Sequence, residues 1–133
     1  MFLNQLSLSE RTAFINLSFL AAKANDIITE REYLILEDYC KETGVVFVDT
    51  AAIQSVDEIY SVFAQSEIRI KRIVLFEIMN LLYADGSFDA LEEEFLTRFA
   101  SSVGLTEKDI DQMFNLVWKY LDVINEIADV LKA

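Results

Sequence analysis

Apolar positions recur along most of the chain at the three-and-four spacing of α-helices, and the breaks between periodic stretches carry helix-end chemistry. Ser7 followed by Glu10 is a capping box, so a helix is predicted to start near Leu8. Phe14, Leu17, Ala21 and Ala24 follow at helical spacing, while Ile15, Phe19 and Leu20 fill the remaining sides. A helix apolar on most sides belongs in the middle of a fold. A second helix is predicted over about 30–43, with Tyr33, Leu36, Tyr39 and Cys40 inward and Gly44 as a left-handed C-cap. Residues 45–55 include a β-branched run with no nearby strand to pair with, so a loop and a short helix are expected there.

Ser55 and Ser66 read as caps, the first for a short helix to about Gln65 and the second for a long one to about Ala84. From Ile73 to Leu82 only Glu77 and Asn80 are polar, which makes this the other central helix. A helix over about 90–103 places Leu91, Phe95, Leu96 and Phe99 inward and stops at Gly104. The last helix opens with Thr106 and Asp109 and runs to about Leu131. It carries one stripe of Ile110, Met113, Phe114, Val117, Leu121, Ile124, Ala128 and Leu131, and a second of Leu116, Tyr120, Val123, Ile127 and Val130. Two stripes require burial against more than one neighbour, or a partner chain on the outer one.

A shift of 60 residues (84 − 24) lays Ala24 on Ala84, Glu32 on Glu92, Leu36 on Leu96, Gly44 on Gly104 and Asp49 on Asp109, with apolar positions in the same register. The identities fall at helix ends and turns, where chemistry is most restrictive, so an internal duplication is expected. The fold class is therefore all-α: one domain over residues 1–133, about seven helices, two of them central and buried. Repeat one covers about 8–49 and repeat two about 67–118, followed by the rest of the C-terminal helix.

Composition narrows the chemistry. The chain has 133 residues, and Lys plus Arg at 11 against Asp plus Glu at 23 gives a net charge of −12, which opposes nucleic-acid phosphate and anionic membrane as partners. There is no His, which removes Ser/His/Asp and Cys/His catalysis and ordinary His-ligated zinc sites. Zero Pro and three Gly suit an all-helical chain. The single cysteine, Cys40, has no intramolecular partner and reads as an inert buried thiol. The longest uncharged apolar stretch, Thr12 to Ala22, is too short for a membrane span of roughly 20 residues. The first residues also lack the basic start and small-residue cleavage site of a signal peptide. A soluble, cytoplasmic protein is expected.

The second copy reads Tyr83-Ala84-Asp85-Gly86-Ser87-Phe88-Asp89-Ala90-Leu91-Glu92, followed by Phe95, Leu96, Phe99, Ala100 and Gly104-Leu105. This resembles the tellurite-resistance TerB family and the related cytoplasmic domain of membrane-anchored J-domain co-chaperones. There an Ala-Asp-Gly, an apolar residue two further on and a Glu beyond it precede a helix ending in Gly. The likeness covers residues 67 to 118 and is weaker over 8 to 49, where Asn25-Asp26 replaces Asp-Gly. It implies an all-α bundle of about seven helices around two central ones, a proposed role in stress response or metal association, and no established catalytic reaction.

Carboxylates cluster at the turn of each repeat, and Asp26, Glu32, Asp85, Asp89 and Glu92 are the candidate ligands for a hard cation, Ca²⁺ or Mg²⁺. Asp85, Asp89 and Glu92 match the fifth, ninth and twelfth positions of an EF-hand loop. Leu81 and Tyr83, however, stand where its leading acids belong, as do Ala21 and Lys23 in the first repeat. The competing reading assigns these acids to helix capping, since Thr29-x-x-Glu32 is a capping box, Asp89-x-x-Glu92 is a close variant, and negative charge suits a helix first turn. Capping leads, and no cofactor is required. The basic trio Arg69, Lys71 and Arg72 reads as a solvated helix end, and Trp118, Tyr33, Phe63, Tyr83 and Phe114 as core or core edge. The functional expectation is a non-catalytic interaction module, stress-related or cation-responsive, with another protein as its partner. Its alternatives are a protein–protein adaptor or homodimer with no metal role and, behind that, a hydrolase using Asp85, Asp89 or Glu92.

Overall fold

A computed structural model describes residues 1–24, 27–46, 54–84 and 89–132. After a 3-10 turn at Leu3–Gln5 come six α-helices: α1 (Leu8–Ala22), α2 (Glu30–Thr43), α3 (Val56–Ala64), α4 (Ile68–Leu82), α5 (Ala90–Val103) and α6 (Glu107–Lys132). Among the described residues there is no strand. Most of the 45–55 segment lies outside the described residues, but α3 begins after Ser55, whose hydroxyl accepts from the Glu58 N–H as its cap.

The helix bounds carry the duplication. Adding 60 to the limits of α1 gives those of α4, and adding 60 to those of α2 gives those of α5. Glu32 and Glu92, Leu36 and Leu96, and Tyr39 and Phe99 are buried in equivalent places. Both outer helices end on a left-handed glycine, Gly44 at φ 74° and Gly104 at φ 86°. Only glycine takes that conformation without strain from a Cβ.

α1 is the centre, packing against α2, α3 and α4, while α4 packs in turn against α5 and α6. Phe14, Ile15, Leu17, Val74, Leu75, Ile78 and Met79 are buried between them. Aromatic edges lock the layers: Phe14 meets Tyr39 at 5.0 Å between ring centres, and Phe63 meets Phe99 at 6.1 Å. Polar groups that enter the core have partners, Tyr39 and Glu77 among them. The Tyr39 hydroxyl donates to the Glu77 carbonyl at 2.6 Å, and burial, then the nearby Glu77 charge, hold its ionisation well above the ordinary tyrosine range. The buried Glu77 carboxylate accepts from the Met1 α-amino group at 2.8 Å and from the Phe2 N–H at 3.1 Å, so this acid is paired where it would otherwise be costly.

Three inward assignments change, and Trp118 lies at the core edge. Tyr33 and Leu91 are exposed: Leu91 sits in the first turn of α5, and Tyr33 lines an open apolar hollow beside Phe19, Leu36, Cys40 and Val45. Trp118 is exposed along one side and touches the protein by an edge-on contact with Tyr83 at 5.4 Å. Cys40 is only partly buried. Ser66 does not cap α4: its N-cap residue is Glu67, with no side-chain cap, and the Ser66 hydroxyl donates to Glu10 instead, at 2.5 Å.

Candidate functional site

The acidic turns are built by helix-start chemistry. At α2 the Thr29 N–H donates to Glu32 Oε1 at 3.0 Å, and the Glu32 N–H to Thr29 Oγ1 at 3.1 Å. At α5 the Asp89 N–H donates to Glu92 Oε1 at 3.0 Å, and the Glu92 N–H to Asp89 Oδ1 at 2.9 Å. Each pair satisfies two backbone donors that a helix start leaves without intrahelical partners. Arg31 Nη1 donates to the Ala84 carbonyl at 2.9 Å, which ties the start of α2 to the turn after α4.

Three of the five candidate ligands, Glu32, Asp89 and Glu92, are thus capping residues, and Asp26 and Asp85 lie outside the described residues. Among the described residues, no group of three or more acidic or cysteine side chains is arranged to hold a metal ion. The leading half of an EF-hand loop is absent for a structural reason. Leu81 is buried within α4, and Tyr83 packs on Phe114 and Trp118, so helix occupies the space a ligand loop would need. One oxygen is unexplained by capping: Glu32 Oε2 is buried and accepts no hydrogen bond from the described residues. The basic trio lies in the first turns of α4, where Arg72 pairs with Asp109 at 3.3 Å.

A groove of about 590 Å³ lies elsewhere, between α2 and the second half of α6, closed at one end by Asn80, Tyr83 and Ala84 of α4 and its following turn. α6 has 26 residues, roughly 39 Å of helix. Its stripe from Ile110 to Leu121 packs on the core, and Val117 alone is fully buried. Beyond Leu121 the helix runs past α2 without closing on it. Leu34 on α2 faces the groove 57% exposed, with Trp118 at 52% and Ile124 at 44% on α6. Asp38 and Asp122 add negative charge to its lining, and Arg31 the one cation there. The groove was hidden from sequence reasoning because it depends on the angle between α2 and α6; its only signal was a final helix too apolar for one neighbour. No family model, no curated protein and no solved structure matches this chain.

Proposed function

We propose that this protein is a non-catalytic interaction module that receives an apolar, basic segment of another protein in the groove between α2 and α6. The observation that carries this reading is the uncovered apolar wall made by Leu34, Trp118 and Ile124 beside Asp38 and Asp122. Buried aromatic and aliphatic anchors supply most binding energy at protein interfaces, and opposite charge at the rim speeds and orients encounter. A net charge of −12 favours a basic partner and disfavours nucleic acid. The resemblance to TerB proteins adds a stress-related, cytoplasmic setting to the proposal. A carboxylate-based hydrolase draws less support, since Glu32, Asp89 and Glu92 spend oxygens on backbone N–H groups.

The test places a photo-crosslinking amino acid at position 34 or 124 of the full chain in its native cells, with position 58 on α3 as control. Adducts of one discrete mass to a different protein at 34 and 124, and none at 58, are expected. Their absence would refute the groove. A second reading, a site for Ca²⁺ or Mg²⁺ at the acidic turns, is favoured by the unsatisfied Glu32 Oε2. Calorimetric titration of chelator-treated protein with each cation tests it: saturable heat lost in Glu32→Gln supports the site, and flat heats reject it.

A further inference from the structure

The opposite flank of α6 carries a seam that the single chain leaves uncovered. Leu116, Tyr120, Val123, Ile127 and Val130 follow one another at steps of four, three, four and three residues, the repeat of a coiled-coil face. Tyr120 is half-buried through its edge contact with Phe76, and the other four are exposed. The seam is continuous at its upper end with an apolar groove between α4 and α6, floored by Ile73, Phe76 and Met113. Among the described residues no helix packs over it.

We infer that this seam pairs with the same seam of a second copy, the two α6 helices running antiparallel. The register follows from the spacing. With a and d positions meeting across the axis, Met113 faces Val130 of the second copy, Leu116 faces Ile127 and Tyr120 faces Val123, and two-fold symmetry repeats every layer. The flanking charges decide the direction. Lys119 and Glu126 are both exposed and occupy the same flank of the seam, seven residues apart (126 − 119). In the antiparallel arrangement Lys119 of each copy lies beside Glu126 of the other, giving two equivalent ion pairs. A parallel arrangement sets Lys119 beside Ile124 and Glu126 beside Leu131 instead, where neither charge has a partner. The last turn of each α6 then comes to rest on the α4–α6 groove of its neighbour, covering apolar surface that is exposed in one copy. Tyr120 also lines the α2–α6 groove, whereas Lys119, Glu126 and Ile127 do not, so substitutions at those three positions test the pairing without altering that groove.

Light scattering of the full chain across a concentration series tests the pairing. The expected mass is twice 15.3 kDa, falling to 15.3 kDa in Ile127→Asp, with helical circular dichroism retained because the residue is exposed. Lys119→Glu and Glu126→Lys alone should each raise the dimer dissociation constant about tenfold by replacing attraction with repulsion at both symmetric sites. The double variant should return it to near the wild-type value. A monomer at every concentration overturns the proposal, as does a dimer whose stability ignores the charge reversals or is not rescued by combining them.

Discussion

At the start of α1 the Ser7 hydroxyl and the Glu10 carboxylate satisfy one another's backbone N–H groups, whereas at the equivalent start of α4 Glu67 caps nothing with its side chain. Glu10 Oε1 accepts the Ser7 N–H while Glu10 Oε2 accepts the hydroxyl of Ser66, the residue just before the α4 N-cap. One carboxylate thereby fastens the beginnings of both central helices. The outer helices diverge less: α2 and α5 share length, capping box and glycine terminus. The repeats thus stay alike where each makes its own local bonds and part company where the two copies meet.

The largest test of that comparison is in the core. Phe99→Ala should cost about 3–5 kcal/mol, because Phe99 is fully buried against Phe63. At the equivalent position, Tyr39→Phe keeps the ring and loses the hydroxyl's bonds, that to the Glu77 carbonyl first among them, a cost of about 1 kcal/mol. Urea denaturation measures both, and equal losses would contradict the division of roles between the two positions. Next come the glycine ends. Gly44→Ala and Gly104→Ala should each cost about 1–2 kcal/mol from the left-handed backbone alone, since an added Cβ meets open space at Gly44 and only ordinary contact with Lys71 at Gly104. A clear inequality between the two melting shifts would show that the repeats differ there.

Smaller still is the missing cap. Glu67→Asp shortens the side chain to one that can accept the Ile70 N–H and should add about 0.5–1 kcal/mol, while Ser7→Ala removes about as much from α1. Thermal melts of the two variants should therefore move in opposite directions.

The smallest effect is in pH. Burial pushes the Glu10 carboxyl upward, but hydrogen bonds from the Ser66 hydroxyl and from Ser7 outweigh it and leave the group below its usual value of 4.5. Such a carboxylate adds stability above its unfolded value, and that stability disappears as pH falls through the folded one. Between about pH 6 and about pH 3 the wild type should lose more melting temperature than Glu10→Gln, which keeps the geometry without the titration. Parallel curves would remove Glu10 from any role in acid sensitivity.

Helix limits were legible wherever caps are made by neighbours in sequence. Thr29 with Glu32, Asp89 with Glu92, and Gly44 and Gly104 mark α2 and α5 to the residue. Ser66 misled because its bond reaches Glu10 across 56 positions, a partner no local pattern announces. Tyr33 and Leu91 misled in another way: helical spacing gives a residue's face but not whether another helix lies opposite. The same gap hid the α2–α6 groove, whose walls come from residues some 90 positions apart (Leu34 and Ile124). At the acidic turns the sequence supplied the capping chemistry of Glu32, Asp89 and Glu92, while the lone oxygen of Glu32 needed coordinates.

The apolar circumference of α1 also sets a schedule for the growing chain. At roughly 5–20 residues per second, α4 is made about 3–12 s after the α1 surface it must cover. Until then Phe14, Leu17 and their neighbours can be shielded by α2 and α3 alone, so a chain halted after α3 displays the face that the finished protein conceals most completely. The second repeat is thus the cover of the first, and an arrest in synthesis between the two yields a species ready to aggregate or to be held by a chaperone.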